Sequence, residues 1–370
     1  MKAFKPAGFD KALSAAAFIL LGVGFIMVFS SSAVMSGERY HQPMHFLIQQ
    51  ITGAVAGLIL VFFFLSVRRP LFQSPVVVYG LLALTVALLT ACFVMPTIAR
   101  VNRWVILFGI RFQPSELAKL SLVLYLAHYL EKKKDRIHEW KTLILPVAVM
   151  GGIALLILKE PDFGTALLIS AIGGLMLYLG GARLLHLGAL GALAGAVFAF
   201  YLFSASYRLN RITGFVSTQK DILGRDFQAH QAKLAIGSGG LLGVSLGEST
   251  QKLDFLPYAH TDFIYAILGE EFGLVGTLTI LVLFLVILWR GLTIAARAPT
   301  TSARLTALGL TLVITLQALL NITVVLGLGP AKGVPLPFVS FGRSSLVCSL
   351  AAVGIMLGIS KQRKIERYGR

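Results

Sequence analysis

The chain has 370 residues, 56% of them hydrophobic and only 13% charged, against ~25% charged in a soluble globular domain. That balance excludes a soluble globular class. Apolar runs of membrane-spanning length recur from end to end, so the sequence predicts an all-α polytopic membrane protein. The formal net charge of +17 would point a soluble protein toward nucleic acid; with no aromatic-basic binding module beside it, no nucleic acid partner is expected and membrane topology accounts for much of the charge.

Ten transmembrane helices are predicted, at about 12–35, 45–66, 75–95, 114–130, 142–158, 162–180, 184–206, 263–289, 303–326 and 345–360. The first apolar run, Ala12 to Ser30, is longer than a signal-peptide core and has no clear cleavage site, so it reads as a span. Arg68 and Arg69, then Lys132, Lys133, Lys134, Arg136 and Lys141, then Arg183, then Arg290, Arg297 and Arg304 collect on alternate links, and both ends of the chain are basic. The positive-inside rule places those links and the N- and C-termini in the cytoplasm. The opposite, periplasmic face also carries cations, among them Arg39, Arg100, Arg103, Arg111 and Lys252. A surface rich in Arg and Lys suits an anionic ligand, phosphate above all. The link between spans 7 and 8, 207–261, is the one large periplasmic loop. It is too small and polar for a core of its own, so residues 1–370 read as a single membrane domain. Its middle, Phe227 to Leu242, predicts a short amphipathic helix ending at glycines. Cys92 and Cys348 fall in apolar runs and suggest neither disulfide nor metal site.

Charged clusters recur at the outer ends of spans. In QPSELAKL, Gln113 to Leu120, Pro114 starts a helix. Glu116 and Lys119 share one face of it, as a self-neutralising pair or as part of a site. In KEPDFGT, Pro161 parts two apolar runs and makes a hairpin with Glu160 and Asp162 at its tip. In HTDF, His260 to Phe263, a polar loop turns into a long apolar helix. A carboxylate there is costly: Asp262 either complements the helix dipole from the first turn or works in a site. His260 is either a pH-sensitive ligand or an interfacial residue. Glu270 and Glu271 follow two turns further on. In GLGPAKGVPLPFVSFGRSS, Pro330, Pro335 and Pro337 forbid a regular helix, yet Val334, Leu336, Phe338, Val339 and Phe341 are apolar. Non-helical backbone at membrane depth needs cover, so this loop is expected to fold back over a cavity. Ser344 and Ser345 would cap the last span, with its backbone N–H groups facing an anion. No Walker motif, HExxH or serine elbow occurs, and the histidines show no metal-ligand spacing.

Taken together, the segments NRWVILFGIRFQPSELAKL, EPDFGTALL, YRLNRITGF, AIGSGGLLGVSLGESTQKLDFLPYAHTDFIYAILGEEFG and GPAKGVPLPFVSFGRSSL resemble the SEDS (FtsW/RodA/SpoVE) family of cell-wall polymerases. They are spread over Asn102 to Leu346. Ala259 in LPYAHTDF and the KEPDFGTALL stretch lean toward the division branch. The chain departs from the family pattern at Arg343, where a glycine is usual, and after Asn102, where Gly-Ala is usual. The resemblance implies a peptidoglycan glycosyltransferase, multi-pass in the cell inner membrane, its active site facing the periplasm. It would join lipid II, an undecaprenyl-diphosphate-linked disaccharide-pentapeptide, into glycan strands, for septal wall synthesis. An elongation-type polymerase and a lipid II flippase are the competing readings.

The family's essential aspartate lands on Asp262, its Glu and Lys on Glu116 and Lys119, and its arginine on Arg103. Asp262 is assigned as general base, with Arg103, Lys119, Arg343, Arg208 and Arg211 against the diphosphate. Asp162, Glu116, His260, Lys332, Ser344 and Ser345 complete the candidate substrate-binding set. No cofactor is expected, although a divalent cation bridging Asp262 and the diphosphate stays open. A class B penicillin-binding protein and other divisome proteins are the implied partners.

Overall fold

The computed structural model describes residues 8–67, 73–95, 102–107, 109–203, 227–253, 256, 259–329 and 333–362. Arg208, Arg211 and Lys332, and most of the loop before the amphipathic segment, lie outside the described residues. Eleven α-helices are described: α1 (Lys11–Tyr40), α2 (His45–Ser66), α3 (Pro75–Ala91), α4 (Pro114–Lys132), α5 (Trp140–Lys159), α6 (Phe163–Leu179), α7 (Leu184–Phe203), α8 (Phe227–Ser238), α9 (Ile264–Ala296), α10 (Thr301–Val325) and α11 (Arg343–Gln362). Each segment read as a span coincides with one of them, and α8 falls on the amphipathic segment. One element was not expected. Strands β1 (Val105–Leu107) and β2 (Ile110–Phe112) pair antiparallel, with Ile106 opposite Arg111, across a turn at Gly109.

Seven of the described helices are long and apolar enough to cross a membrane: α1, α2, α5, α7, α9, α10 and α11. Helices α3 and α6 are apolar but have 17 residues each. Helix α4 carries Glu116, Lys119, Glu131 and Lys132, which a helix facing hydrocarbon would not tolerate. Burial resolves this: α4 is enclosed over nearly its whole length, packed by α3, α5, α6, α10 and α11. Helix α7 is the opposite case, packed on α6 with no residue of its membrane-length part fully buried.

Helix α9 breaks at Gly273, whose φ of 63° and ψ of −158° suit glycine alone. The loop after α8 supplies the hydrogen bonds that the break removes: Leu274 N donates to Gly240 O (2.9 Å), Val275 N to Leu241 O (3.2 Å), and Val244 N to Glu270 O (3.0 Å). The two glutamates before the break bind the same loop. The Glu270 carboxylate accepts from Ser249 Oγ and from both the amide and hydroxyl of Thr250. Glu271 accepts from Ser30 Oγ on α1 (2.6 Å) and pairs with Lys252 Nζ (2.8 Å). Lys252 is therefore neutralised within the fold.

At the far end of the bundle Arg290 grips Asp10, which caps α1 through Leu13 N. Burial opposes ionisation of Asp10, and the guanidinium outweighs it, holding the carboxyl below its ordinary range. At the site end, Gly24 on α1 lets the Gly333–Gly342 loop enter the bundle. A methyl at Gly24 would collide with the Phe338 carbonyl and come within 3.0 Å of Val339 Cα, whereas Gly22 has open space around it. Gly24→Ala is expected to destabilise the protein by about 1–3 kcal/mol through overpacking. Gly22→Ala is expected to be neutral or to stabilise by up to ~1 kcal/mol through helix propensity. Thermal unfolding of the detergent-purified variants checks the pair, and equal midpoints would contradict this packing.

Candidate active site

Asp262 precedes α9 rather than sitting in its first turn. Phe263 is the N-cap residue and the helix begins at Ile264, so of the two readings of Asp262 the first-turn one does not hold. The turn from His260 to Phe263 is kept out of the helix by three donors on three consecutive carbonyls. Phe341 N donates to His260 O (2.9 Å), Ser340 Oγ to Thr261 O (2.6 Å) and Asn321 Nδ2 to Asp262 O (2.8 Å). The Asp262 side chain is half-buried and lies against the backbone of Gly333; a methyl at residue 333 would come within 2.9 Å of Asp262 Oδ2.

The loop from Gly333 to Gly342 folds into the bundle, as its apolar residues between prolines require. Val334, Leu336, Phe338 and Val339 are buried. Ser340 closes the loop on itself: its hydroxyl accepts from Leu336 N (2.8 Å) and its amide donates to Leu336 O (3.0 Å). Gln50 on α2 holds the exit, with Nε2 donating to Ser340 O (3.1 Å) and Oε1 accepting from Gly342 N (3.2 Å).

Glu116 and Lys119 form a 2.8 Å ion pair with both side chains almost fully enclosed. The pair is not self-contained, because Lys119 Nζ also donates to Gln317 Oε1 on α10. Gln317 Nε2 in turn donates to Pro335 O (2.9 Å) and reaches Ser345 Oγ at 3.5 Å. Arg103 donates through Nε to Glu160 O (2.9 Å) and through Nη2 to Pro161 O. Asp162 caps α6, accepting from Thr165 N (3.1 Å) and Thr165 Oγ1 (2.9 Å), with Gln113 Nε2 at 3.4 Å. Ser344 and Ser345 are the second and third residues of α11. The Ser344 hydroxyl accepts from Gln113 N (3.0 Å) rather than capping its own helix. Arg343, half-buried, opens α11 against Gly53. Among the described candidates, Glu116, Lys119 and Ser345 are thus joined through Gln317, Asp162 and Ser344 through Gln113, and Asp262 through Asn321 and the 333–342 loop, while Arg103 holds the hairpin that carries Asp162.

His260 packs its ring on Phe46 (4.6 Å between centroids) and near Phe341 (5.8 Å). Burial pushes its pKa down from 6.5 to about 4, so the ring is neutral at physiological pH. Its backbone carbonyl, not its charge, serves the site. The amide side chains Gln50, Gln113, Gln317 and Asn321 were not singled out by the sequence reading. The available signal was their type: Gln50, Gln317 and Asn321 stand inside otherwise apolar spans, where a polar group needs a partner. Among the described residues, no cluster of three or more His, Cys, Asp or Glu side chains fits a metal ion.

Glu160 is fully buried. Neither carboxylate oxygen has a nitrogen or oxygen donor, and the Cys92 thiol lies beside it. Burial, reinforced by the charge of Asp162, raises its pKa from 4.5 to about 8. Over that window the folded protein keeps a proton that the unfolded chain has released, so this group's contribution to stability falls as pH rises from about 4.5 to about 8. Glu160→Gln is expected to flatten the pH dependence of the thermal midpoint over the same window. Parallel curves for the variant and the parent protein would rule out Glu160 as its source.

The FtsW/RodA/SpoVE family model, described as "Cell cycle protein", matches residues 11–365. The chain is 37% identical over 368 residues to a probable peptidoglycan glycosyltransferase FtsW of Trichlorobacter lovleyi, covering 98% of this chain and 96% of that one. It is 40% identical to the protein of the same name from Nitrosococcus halophilus, covering 98% and 94%. Among solved structures it is similar to a chain of a peptidoglycan synthase complex that coordinates polymerisation and crosslinking, with a TM-score of 0.78, 27% identity, and coverage of 96% of this chain and 99% of that one. The chain belongs to the FtsW/RodA/SpoVE family, and with its long apolar helices it is a multi-pass membrane protein.

Proposed function

We propose that this protein is a peptidoglycan glycosyltransferase that polymerises lipid II at the outer face of the inner membrane, for septal wall synthesis. The observation that carries the reading is the placement of Asp262. It is a half-buried carboxylate outside the helix, held by its backbone next to a network containing Arg103, Lys119 and the start of α11. In this reading all ten apolar segments cross the membrane, both termini are cytoplasmic, and the whole chain is one membrane domain. The loop between α7 and α9 is then periplasmic. Arg208, Arg211 and Lys332 join the substrate-binding set from beyond the described residues.

The donor is a glycan on undecaprenyl diphosphate and the acceptor is a second lipid-linked disaccharide. The acceptor hydroxyl oxygen forms the new glycosidic bond at the donor's anomeric carbon, while the bond from that carbon to the diphosphate oxygen breaks. Asp262 takes the hydroxyl proton. The diphosphate leaves with the bonding electrons, and cations and helix N-terminal amides stabilise it. Arg343 and the first-turn amides of α11 take that role in this reading, which the N–H groups that a first helical turn leaves without intrahelical partners support. Lys119 and Arg103 add positive charge there from where they are held, Lys119 paired with Glu116 and Arg103 bonded to two carbonyls. Asp162 and Gln113 keep the hairpin and the α11 start together, and His260 serves through its carbonyl. The printed description of the similar synthase complex supports a crosslinking partner for this chain: a class B penicillin-binding protein, within the divisome.

Asp262→Asn is expected to lower glycan formation from purified protein and lipid II by about 10²–10⁴-fold, the usual worth of a general base, with little change in the thermal midpoint. Full activity in that variant would sink the assignment. If parent activity survives chelation of divalent cations, Asp262 acts as base rather than as a bridging ligand; if chelation abolishes it, the bridging role stands.

A further inference from the structure

Two amides on α10 have a place in the site that the reaction scheme leaves unused. Gln317 and Asn321 are four residues apart, so they lie on one face of the helix, and each is 2% exposed. Both use the amide NH₂ group on the backbone of the proline loop. Gln317 Nε2 donates to Pro335 O, and Asn321 Nδ2 donates to Val334 O (2.8 Å). Each also holds one member of the candidate machinery. The Gln317 oxygen accepts a hydrogen bond from the Lys119 ammonium, and the Asn321 NH₂ group donates to the Asp262 carbonyl.

We propose that Gln317 and Asn321 are positioning residues for the glycosyl transfer, a two-amide brace on α10 that sets Lys119, the Val334–Pro335 backbone and Asp262 at fixed separations. The inference rests on the glycosyltransferase reading and names the residues that would make its geometry. Three features favour positioning over packing. An apolar side chain of similar size would fill the same volume, so the amides are not needed as core. Their donors go to carbonyls of irregular backbone, which have no ladder or helix partner of their own and are costly to leave unmade in a buried place. The bonds also tie the proline loop that follows α10 to elements far away in sequence: α4 through Lys119 and the turn before α9 through Asp262. A brace of that kind converts helix rigidity into a fixed distance between the Asp262 backbone and the Lys119 ammonium. Misplacement by about 1 Å can cost ~10²-fold in rate.

The test uses the full-length protein in detergent or proteoliposomes, with lipid II as substrate. Asn321→Leu and Gln317→Met keep side-chain volume and remove the amide. For each, substrate bound per protein at saturation, KM and kcat are measured well below the thermal midpoint. The expected result is kcat lower by roughly ten- to a hundredfold, with binding stoichiometry unchanged and KM within about threefold. A kcat within about twofold of the parent would overturn the inference, and so would a loss of kcat matched by the same fractional loss of bound substrate, because that is the signature of unfolding rather than misalignment. If the parent protein itself makes no glycan, the glycosyltransferase reading fails instead, so the two failures are distinguishable.

Discussion

The structure depends on one constraint: backbone that leaves a helix inside a membrane must find its hydrogen bonds within the protein. This chain leaves the helix at two such places that meet each other. The turn His260–Phe263 offers carbonyls, and the loop Gly333–Gly342, with Asn321, supplies donors to three of them in succession. Joined, they place a carboxylate beside irregular backbone at the end of a rigid helix pair. The break of α9 at Gly273 obeys the same rule, since the loop after α8 bonds the groups that the kink exposes.

The buried acids divide by what they bind. Glu270 is filled by hydroxyl and amide donors of the loop it anchors, Glu271 by Lys252 and Ser30, Asp162 by the first turn of α6, and Glu116 by Lys119. Each is compensated close at hand, which is how ionisable groups are kept inside a bundle. Glu270 and Glu271 are the acids below Asp262 that a transport path would use, and both are occupied in holding a loop. Glu160 takes the other solution and holds its proton.

Charge also decides which helix goes where. Helix α4 carries the Glu116–Lys119 pair and is surrounded by five other helices. Helix α7 has no Asp, Glu, Lys or Arg and lies at the edge. A helix that must shelter an ion pair pays its desolvation once, at the centre, where partners such as Gln317 are at hand. An all-apolar helix has no such need and can face lipid along its length.

The sequence by itself determined the helices, because hydrophobic length is a local property: every apolar segment read as a span is a helix, and the apolar residues between Pro335 and Phe341 implied the inward fold that the 333–342 loop has, though not what it packs against. It also determined which charged residues stand at the ends of spans. Only the tertiary structure decided what those residues touch. The short hairpin over Val105–Phe112 was missed because three-residue strands carry little periodicity. The sequence left open whether Asp262 joined the first turn of α9, because what holds His260–Phe263 out of the helix is Ser340, Phe341 and Asn321, more than fifty residues away in the chain. Lys252 looked like a surface cation until α9 brought Glu271 to it, and Gln317 and Asn321 gained a role only when α10 carried them between Lys119 and the loop. Pairings between distant helices are set by packing of whole faces, and no local pattern records them.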